Sequence, residues 1–186
     1  KIEKNEKLSA RKNQFYIEIS NNINFFKENK QLKSYEKVHL KNFSYFKYKY
    51  DDNPFYTYKF YLIKKEDFIY GFFVGRVCSH NRKTALRLVE YFGSIKVLEK
   101  IKYSLKKILE FSNYEYIDFY NIGIEKKILK KAGFKLNKFK KNIVIPNYYE
   151  PFVRDNIQIR YAIWPKDNFT PIFKGDCDQE RPSKLL

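Results

Sequence analysis

Ala85-Leu86-Arg87-Leu88-Val89-Glu90-Tyr91-Phe92, closed by Gly93-Ser94, is an apolar run of strand length that stops on a glycine. Such a run, bounded by a turn signal, predicts a buried strand. Directly after it the apolar period changes. Leu98, Ile101, Leu105 and Ile108 fall on one stripe with lysines opposite, which predicts an amphipathic helix. Ser94 stands where an N-cap belongs. Ser112-Asn113 ends the helix, and Glu115 to Tyr120 reads as the next strand. Strand, helix and strand in this order predict a right-handed βαβ crossover.

Upstream of this unit, Tyr56, Tyr58, Phe60 and Leu62 alternate on one face of a strand ending at Ile63. Lys65-Glu66-Asp67 turns the chain into a second strand, Phe68 to Cys78, and Ser79 to Thr84 reads as a polar loop. Asp51-Asp52-Asn53-Pro54 is a break ahead of this hairpin. Phe15, Ile19, Ile23 and Phe26 are spaced by four, four and three, which predicts a helix within Phe15 to Leu32. Tyr35 to Tyr50 mixes aromatics with lysines and favours neither period. Downstream, Ile124 to Ala132 reads as a short helix, with Gly133 as its C′ residue and Lys126, Lys127, Lys130 and Lys131 suiting the C-terminal dipole. Asn142 to Ile145 and Ile157 to Ile163 read as two more strands. The expected fold is mixed α/β (α+β): a largely antiparallel sheet flanked by helices, with order β-β-β-α-β-α-β-β from Tyr56. Residues 1–50 form a helical lead-in to the same domain, 51–164 the core and 165–186 a tail.

Composition narrows the function classes. The chain has 186 residues, 44% hydrophobic and 19% aromatic, with 17 Tyr and 18 Phe. That is enough apolar surface for one core and too much for a disordered chain. No apolar run approaches the roughly 20 residues of a membrane-spanning helix. Lys1 to Lys12 is charged, unlike a secretory signal. Met is absent even from position 1, so the chain is expected to be a segment of a longer one or a processed product. Two cysteines, Cys78 and Cys177, make no disulfide framework, and His39 and His80 supply no zinc cluster. A reducing cytoplasm is the expected compartment, and no metal is expected.

Lys plus Arg number 38 against 21 Asp plus Glu, a net charge of +17. Such a charge attracts polyanions. A wealth of Lys, Asn, Ile, Tyr and Phe also follows from an A+T-rich genome, in which case the lysines only meet solvent. Lys126 to Lys141 carries eight lysines and no acid, with Phe134 and Phe139 interleaved. It reads either as a polyanion-binding face, for nucleic acid or acidic glycan, or as a solvated helix face followed by a guarded strand edge.

Several motifs then resemble the GNAT acyltransferases over roughly residues 50–180. Lys130-Lys131-Ala132-Gly133-Phe134 resembles the end of that family's last helix. Tyr116-Ile117-Asp118-Phe119-Tyr120-Asn121 is similar to its fifth strand. Arg87 to Gly93 resembles the fourth strand, and Asn53-Pro54-Phe55-Tyr56 a preceding segment, of a subgroup associated with bacterial surface-sugar genes. Phe173-Lys174-Gly175-Asp176 is similar to the tail of the same subgroup. The resemblance implies transfer of an acyl group from acetyl-CoA or another acyl-CoA to an amine or hydroxyl, on a sugar in the surface-glycan case. It implies that the donor's pantetheine arm runs along the fourth strand at Val89 and Tyr91. The pyrophosphate would then rest on Gly93, Ser94 and Ile95, with Lys96 adding a cation. Two family features are missing. The phosphate loop is reduced to Phe92-Gly93-Ser94-Ile95, and Leu129 stands where a Tyr often serves as acid.

Glu90 is either a general base or a polar residue on the open strand face. Tyr120 is the candidate replacement acid, and Asn121 either bonds the cofactor or caps a helix. His80 and His39 are expected to be exposed, His80 being the better candidate base. Cys78 is expected to be a buried structural thiol. Asp176, Asp178 and Glu180 form an acidic group in the tail, either cation-binding or paired with the basic body.

Overall fold

The computed structural model describes residues 14–136 and 170–176. A five-stranded sheet runs in the order β1 (Tyr16–Ser20), β2 (Lys59–Lys65), β3 (Phe68–His80), β4 (Lys83–Gly93), β5 (Ile117–Phe119). The first four strands pair antiparallel, and β4 pairs parallel with β5. The mixed, largely antiparallel sheet flanked by helices is the expected class. The expected strands at 142–145 and 157–163 lie outside the described residues.

Each face of the sheet buries its own layer. On one face Tyr58, Phe60 and Leu62 of the predicted alternation meet Phe72, Val74, Val89 and Phe92. They pack under a string of short helices, α1 (Phe25–Glu28), α2 (Lys30–Ser34), α3 (Glu36–His39) and α4 (Phe43–Phe46), the last continuing into a π turn at Lys47–Asp51. Phe26, Phe46, Phe72 and Phe92 form its centre, with all their ring centroids 5.0 to 6.0 Å apart. Such ring pairs each add about 0.5–1.5 kcal/mol beyond the area they bury. The opposite face buries Tyr61, Ile63, Phe73, Leu86, Leu88 and Tyr91. It is covered by a 3₁₀ turn at Ile95–Lys100, then α5 (Lys102–Phe111) and α6 (Lys126–Lys131). Two short strands, β6 (Asn121–Ile122) and β7 (Ile172–Phe173), pair antiparallel, and a 3₁₀ turn at Lys174–Asp176 follows.

The structure corrects four local expectations. Phe15 to Ile19 is not helical: Tyr16–Ser20 is a strand pairing with β2 from Tyr16↔Lys64 to Ser20↔Phe60. A spacing of four is one helical turn but also two strand periods, and the aromatic and β-branched residues here favour pairing. Ile23 and Phe26, three apart, do join the helical layer, both fully buried. The polar loop at 79–84 is a tight hairpin: β3 and β4 run to His80 and Lys83, and Asn81 and Arg82 take φ of 46° and 63°. Positive φ at both central residues suits the twist of the flanking strands. The segment after Ser94 is a 3₁₀ turn without side-chain capping, and the α-helix begins only at Lys102. Val97, Leu98 and Ile101 are all buried there, and sinking 97 and 98 together draws the backbone tighter than an α-helix. Finally, Cys78 is half-buried rather than enclosed.

Gly133 behaves as expected. At φ 96° it closes α6, with its N–H donating to the Lys130 carbonyl and that of Phe134 to the Leu129 carbonyl. This is the double bond pattern of a glycine-ended helix.

Leu40 closes α3 in the left-handed region, φ 55°, with its side chain 77% exposed. Leu40→Gly is expected to raise stability by about 0.5–1 kcal/mol, because the left-handed strain exceeds the added chain entropy. Chemical denaturation measures it, and a loss of stability would mean the exposed side chain has a partner.

Candidate functional site

The most polar part of the core forms around an irregularity in β4. Gly75 pairs with Leu88 and Val74 with Glu90, so Val89 is an extra residue, a β-bulge. A bulge re-aims the side chains that follow it. Leu86 and Leu88 face the α5 layer, and an unbroken strand would send Glu90 there too. Instead Tyr91 takes that face, and Glu90 turns toward the π turn. The same point ends the pairing of β4 with β5, whose last pair is Leu88↔Phe119. Just before it, Arg87 and Asp118 staple the two strands with a buried ion pair at 3.1 Å.

Glu90 has no exposed surface. Lys41, on the connector between α3 and α4, places its ammonium 2.9 and 2.8 Å from the two carboxylate oxygens. Tyr45 and Tyr50 donate their hydroxyls to Oε2 at 3.1 and 3.2 Å. The Tyr91 N–H reaches Oε1 at 3.2 Å. The wide π turn explains how Tyr45, Lys49 and Tyr50 converge, since residues four and five apart then share a side. Asn42 begins α4 by accepting the Tyr45 N–H at 2.9 Å.

The C-terminal turn completes the cluster. Asp176 takes the other side of the Lys41 ammonium at 2.6 Å and accepts the Phe173 N–H at 2.9 Å. Lys49 bonds the Gly175 carbonyl and donates to the Tyr45 hydroxyl at 3.1 Å. The Lys41 ammonium also lies 5.3 Å from the ring centres of both Tyr45 and Phe173. Two carboxylates therefore meet two ammoniums, and the enclosure carries no net formal charge. Gly175 is packed so closely that a Cβ would press on the Tyr50 hydroxyl and lie 3.0 Å from the Val89 carbonyl.

Burial raises the proton affinity of Glu90 above the usual carboxylate range. Lys41 counters this, and Asp176 adds to it. Burial and then the Glu90 charge also raise the Tyr45 phenol, so both tyrosines near Glu90 stay neutral donors. His39 is buried, 4% exposed, against expectation. Its Nε2 lies 2.9 Å from the Gly93 carbonyl and its ring 4.9 Å from Phe92. Burial lowers its pKa, which keeps the imidazole neutral.

The other sequence-derived candidates scatter. Tyr91 is buried, with its hydroxyl on the Ser94 carbonyl at 2.6 Å. The Ser94 N–H is engaged by the Tyr70 carbonyl at 3.0 Å, and the Val97 N–H by the Ser94 carbonyl at 3.1 Å. Ile95 is half-buried and Lys96 exposed. Val89 is buried beside Gly175. The Tyr120 carbonyl accepts the Lys174 N–H at 3.3 Å, and the Lys174 ammonium lies 5.8 Å from the Tyr120 ring centre. Asn121 donates its side-chain amide to the Phe119 carbonyl at 3.1 Å. The Cys78 sulfur lies 3.4 Å from Arg76 Nη1. The side chain of His80, residues 137–141 of the lysine run, and Asp178 and Glu180 lie outside the described residues.

Sequence reasoning found Glu90 and Asp176 but missed Lys41, Tyr45, Lys49 and Tyr50. The one legible signal was Asn42 as a cap ahead of Phe43-Ser44-Tyr45. Outside Lys41 and Tyr45 the surface holds an open depression of about 270 Å³, lined by Glu36, Lys37, Leu40, Lys41, Asn42 and Tyr45. Among the described residues no helix is long and apolar enough to cross a membrane. No three His, Cys, Asp or Glu side chains among them gather as a metal site needs.

No family model matches the chain, and no curated protein matches it significantly. Among solved structures it is similar to TTHA1254 from Thermus thermophilus, at 12% identity and a TM-score of 0.42. That match covers 64% of this chain and 90% of the other. A point-mutant form of the same protein gives 11% identity, a TM-score of 0.43, and coverage of 78% and 99%. A likeness at these scores decides neither the fold nor the function of this chain.

Proposed function

We propose that the chain transfers an acyl group from an acyl-CoA to an amine or hydroxyl. Glu90 is the proton acceptor, and Tyr120 the proton donor to the leaving thiolate. One observation carries the reading: β4 and β5 part at a bulge, and a carboxylate with raised proton affinity sits at the parting point. A base matched to amine or hydroxyl chemistry near neutral pH needs that rise. The sugar acceptor of surface-glycan chemistry belongs to the same proposal and rests on family likeness alone.

Saturating acetyl-CoA is expected to raise the melting temperature. At a hundredfold excess over Kd the gain is about 2.7 kcal/mol, or roughly 5–10 °C for a domain of this size. No shift sinks the reading. Unchanged turnover in Glu90→Gln would remove Glu90 from its role.

A second reading has its own observation. Phe173 to Gly175 lie against β4 where the pantetheine arm would run, and the Ser94 N–H is already engaged. On this reading the fold is a non-catalytic module that binds a polyanion or a partner protein through its lysine face. Lys126, Lys127, Lys130 and Lys131 are exposed there. Nucleic-acid affinity that barely falls between low and high salt would exclude the polyanion version.

A further inference from the structure

We propose that Lys41 is itself an acyl acceptor, so that the chain acylates its own buried lysine. The inference rests on the acyl-transfer reading and names a substrate for the same site. Both Glu90 oxygens are held by the Lys41 ammonium. The amine this carboxylate meets first is therefore not a bound substrate's but the chain's own.

Lys41 is placed to meet a donor. It sits on the connector between α3 and α4, outside either helix. Its side chain lines the open depression on one side and reaches Glu90 on the other. Lys47, Lys64, Lys83, Lys106 and Lys131 also pair with carboxylates, but none of them lines the depression. Glu99 beside Lys131 has its proton affinity lowered, and Glu115 beside Lys83 is exposed. The amine becomes a nucleophile only as it hands a proton to the carboxylate beside it.

The step balances. The Lys41 ammonium passes one proton to Glu90, and the free amine attacks the thioester carbonyl. A C–N bond forms, the C–S bond breaks, and the second amine proton leaves with the thiolate as the free thiol. The products are a neutral amide on Lys41, a neutral Glu90 acid and CoA. No uncompensated charge remains at fully buried Glu90. The ion that loses its partner is Asp176, whose side chain is 23% exposed and open to water.

The wild-type chain, incubated with acetyl-CoA and no other acceptor, tests this by time-resolved peptide mass spectrometry of each lysine. Uncatalysed acylation favours exposed amines, and the Lys41 side chain is only 10% exposed. Lys41 is nevertheless expected to be modified about a hundredfold faster than exposed Lys126, Lys127 and Lys130. A Lys41 rate at or below theirs overturns the proposal. Acetyl phosphate modifying Lys41 as fast as acetyl-CoA does also overturns it, because delivery by the bound donor would then play no part. A melting shift with acetyl-CoA but unmodified Lys41 overturns self-acylation alone, whereas neither shift nor modification overturns both readings. Glu90→Gln is expected to slow Lys41 by the same factor and leave the exposed lysines unchanged. Lys41→Arg, which keeps the ion pair, is expected to remove one acyl group from the total.

Discussion

Lys41→Met is expected to lower folding stability by about 3–5 kcal/mol, because it strands a fully buried carboxylate without its cation. The ammonium does more than attract Glu90. It also holds Asp176, and through it the C-terminal turn, against the helical layer. The loss depends on pH, and the direction follows from Glu90. Burial already lifts its pKa above the ordinary 4.5, and removing the Lys41 charge lifts it further. A carboxyl whose folded pKa is raised stabilises the fold fully below its unfolded pKa, and loses that contribution as pH climbs through the folded one. The deficit of Lys41→Met is therefore expected to be smaller near about pH 4 than near about pH 8. Lys41→Met/Glu90→Gln is expected to recover most of the loss, since it removes both charges together. Urea denaturation of the wild type, Lys41→Met, Glu90→Gln and the double variant at the two pH values measures all of this. A deficit independent of pH, or a double variant no better than the single, would mean Glu90 is not the stranded group.

Gly93→Ala is expected to cost about 2–5 kcal/mol, by left-handed backbone strain and by overpacking. Gly93 takes φ 126°, a conformation side chains rarely adopt, and pairs with Gly71 across β3 and β4. A Cβ there would press on the Gly71 Cα and lie 2.5 Å from the Tyr70 carbonyl oxygen. Both obstacles are backbone inside a sheet and have no room to yield. Gly133→Ala is the internal control. Its φ of 96° carries similar strain, but its Cβ would meet only the Lys102 Cγ at 3.1 Å, part of a flexible exposed chain. It is expected to cost about 1–2 kcal/mol. Equal losses in the two variants would show that strain alone, and not the close approach of β3, reserves position 93 for glycine. The larger loss expected at Gly93 makes the glycine that ends the Arg87 to Gly93 motif a packing requirement before it is a cofactor contact.

Much of the fold is legible where apolar period and local chemistry agree. The alternation of Tyr58, Phe60 and Leu62, the burial of Leu98, Ile101 and Leu105 in one layer, and the glycine-ended helix at Gly133 all appear as read. Local chemistry misleads where a pattern fits two periods, as at Phe15 to Ile19. It also misleads at Ser94, where a capping residue is present but the buried pair Val97 and Leu98 selects a 3₁₀ turn.

The candidate site divides in the same way. The sequence by itself determined that Glu90 lies in an apolar strand. It also determined that Asp176 follows a short apolar segment in the tail. Only the tertiary structure decided what Glu90 faces. A one-residue bulge at Val89 leaves no mark in the apolar pattern, yet it swings Glu90 from the α5 layer to the π turn. Lys41, Tyr45 and Tyr50 lie 40 to 49 positions before Glu90, and Asp176 lies 131 positions after Tyr45. No local rule links residues that far apart. Their meeting follows from two sheet faces and a C-terminal turn, and from the need of a buried carboxylate for a cation and hydrogen-bond donors around it.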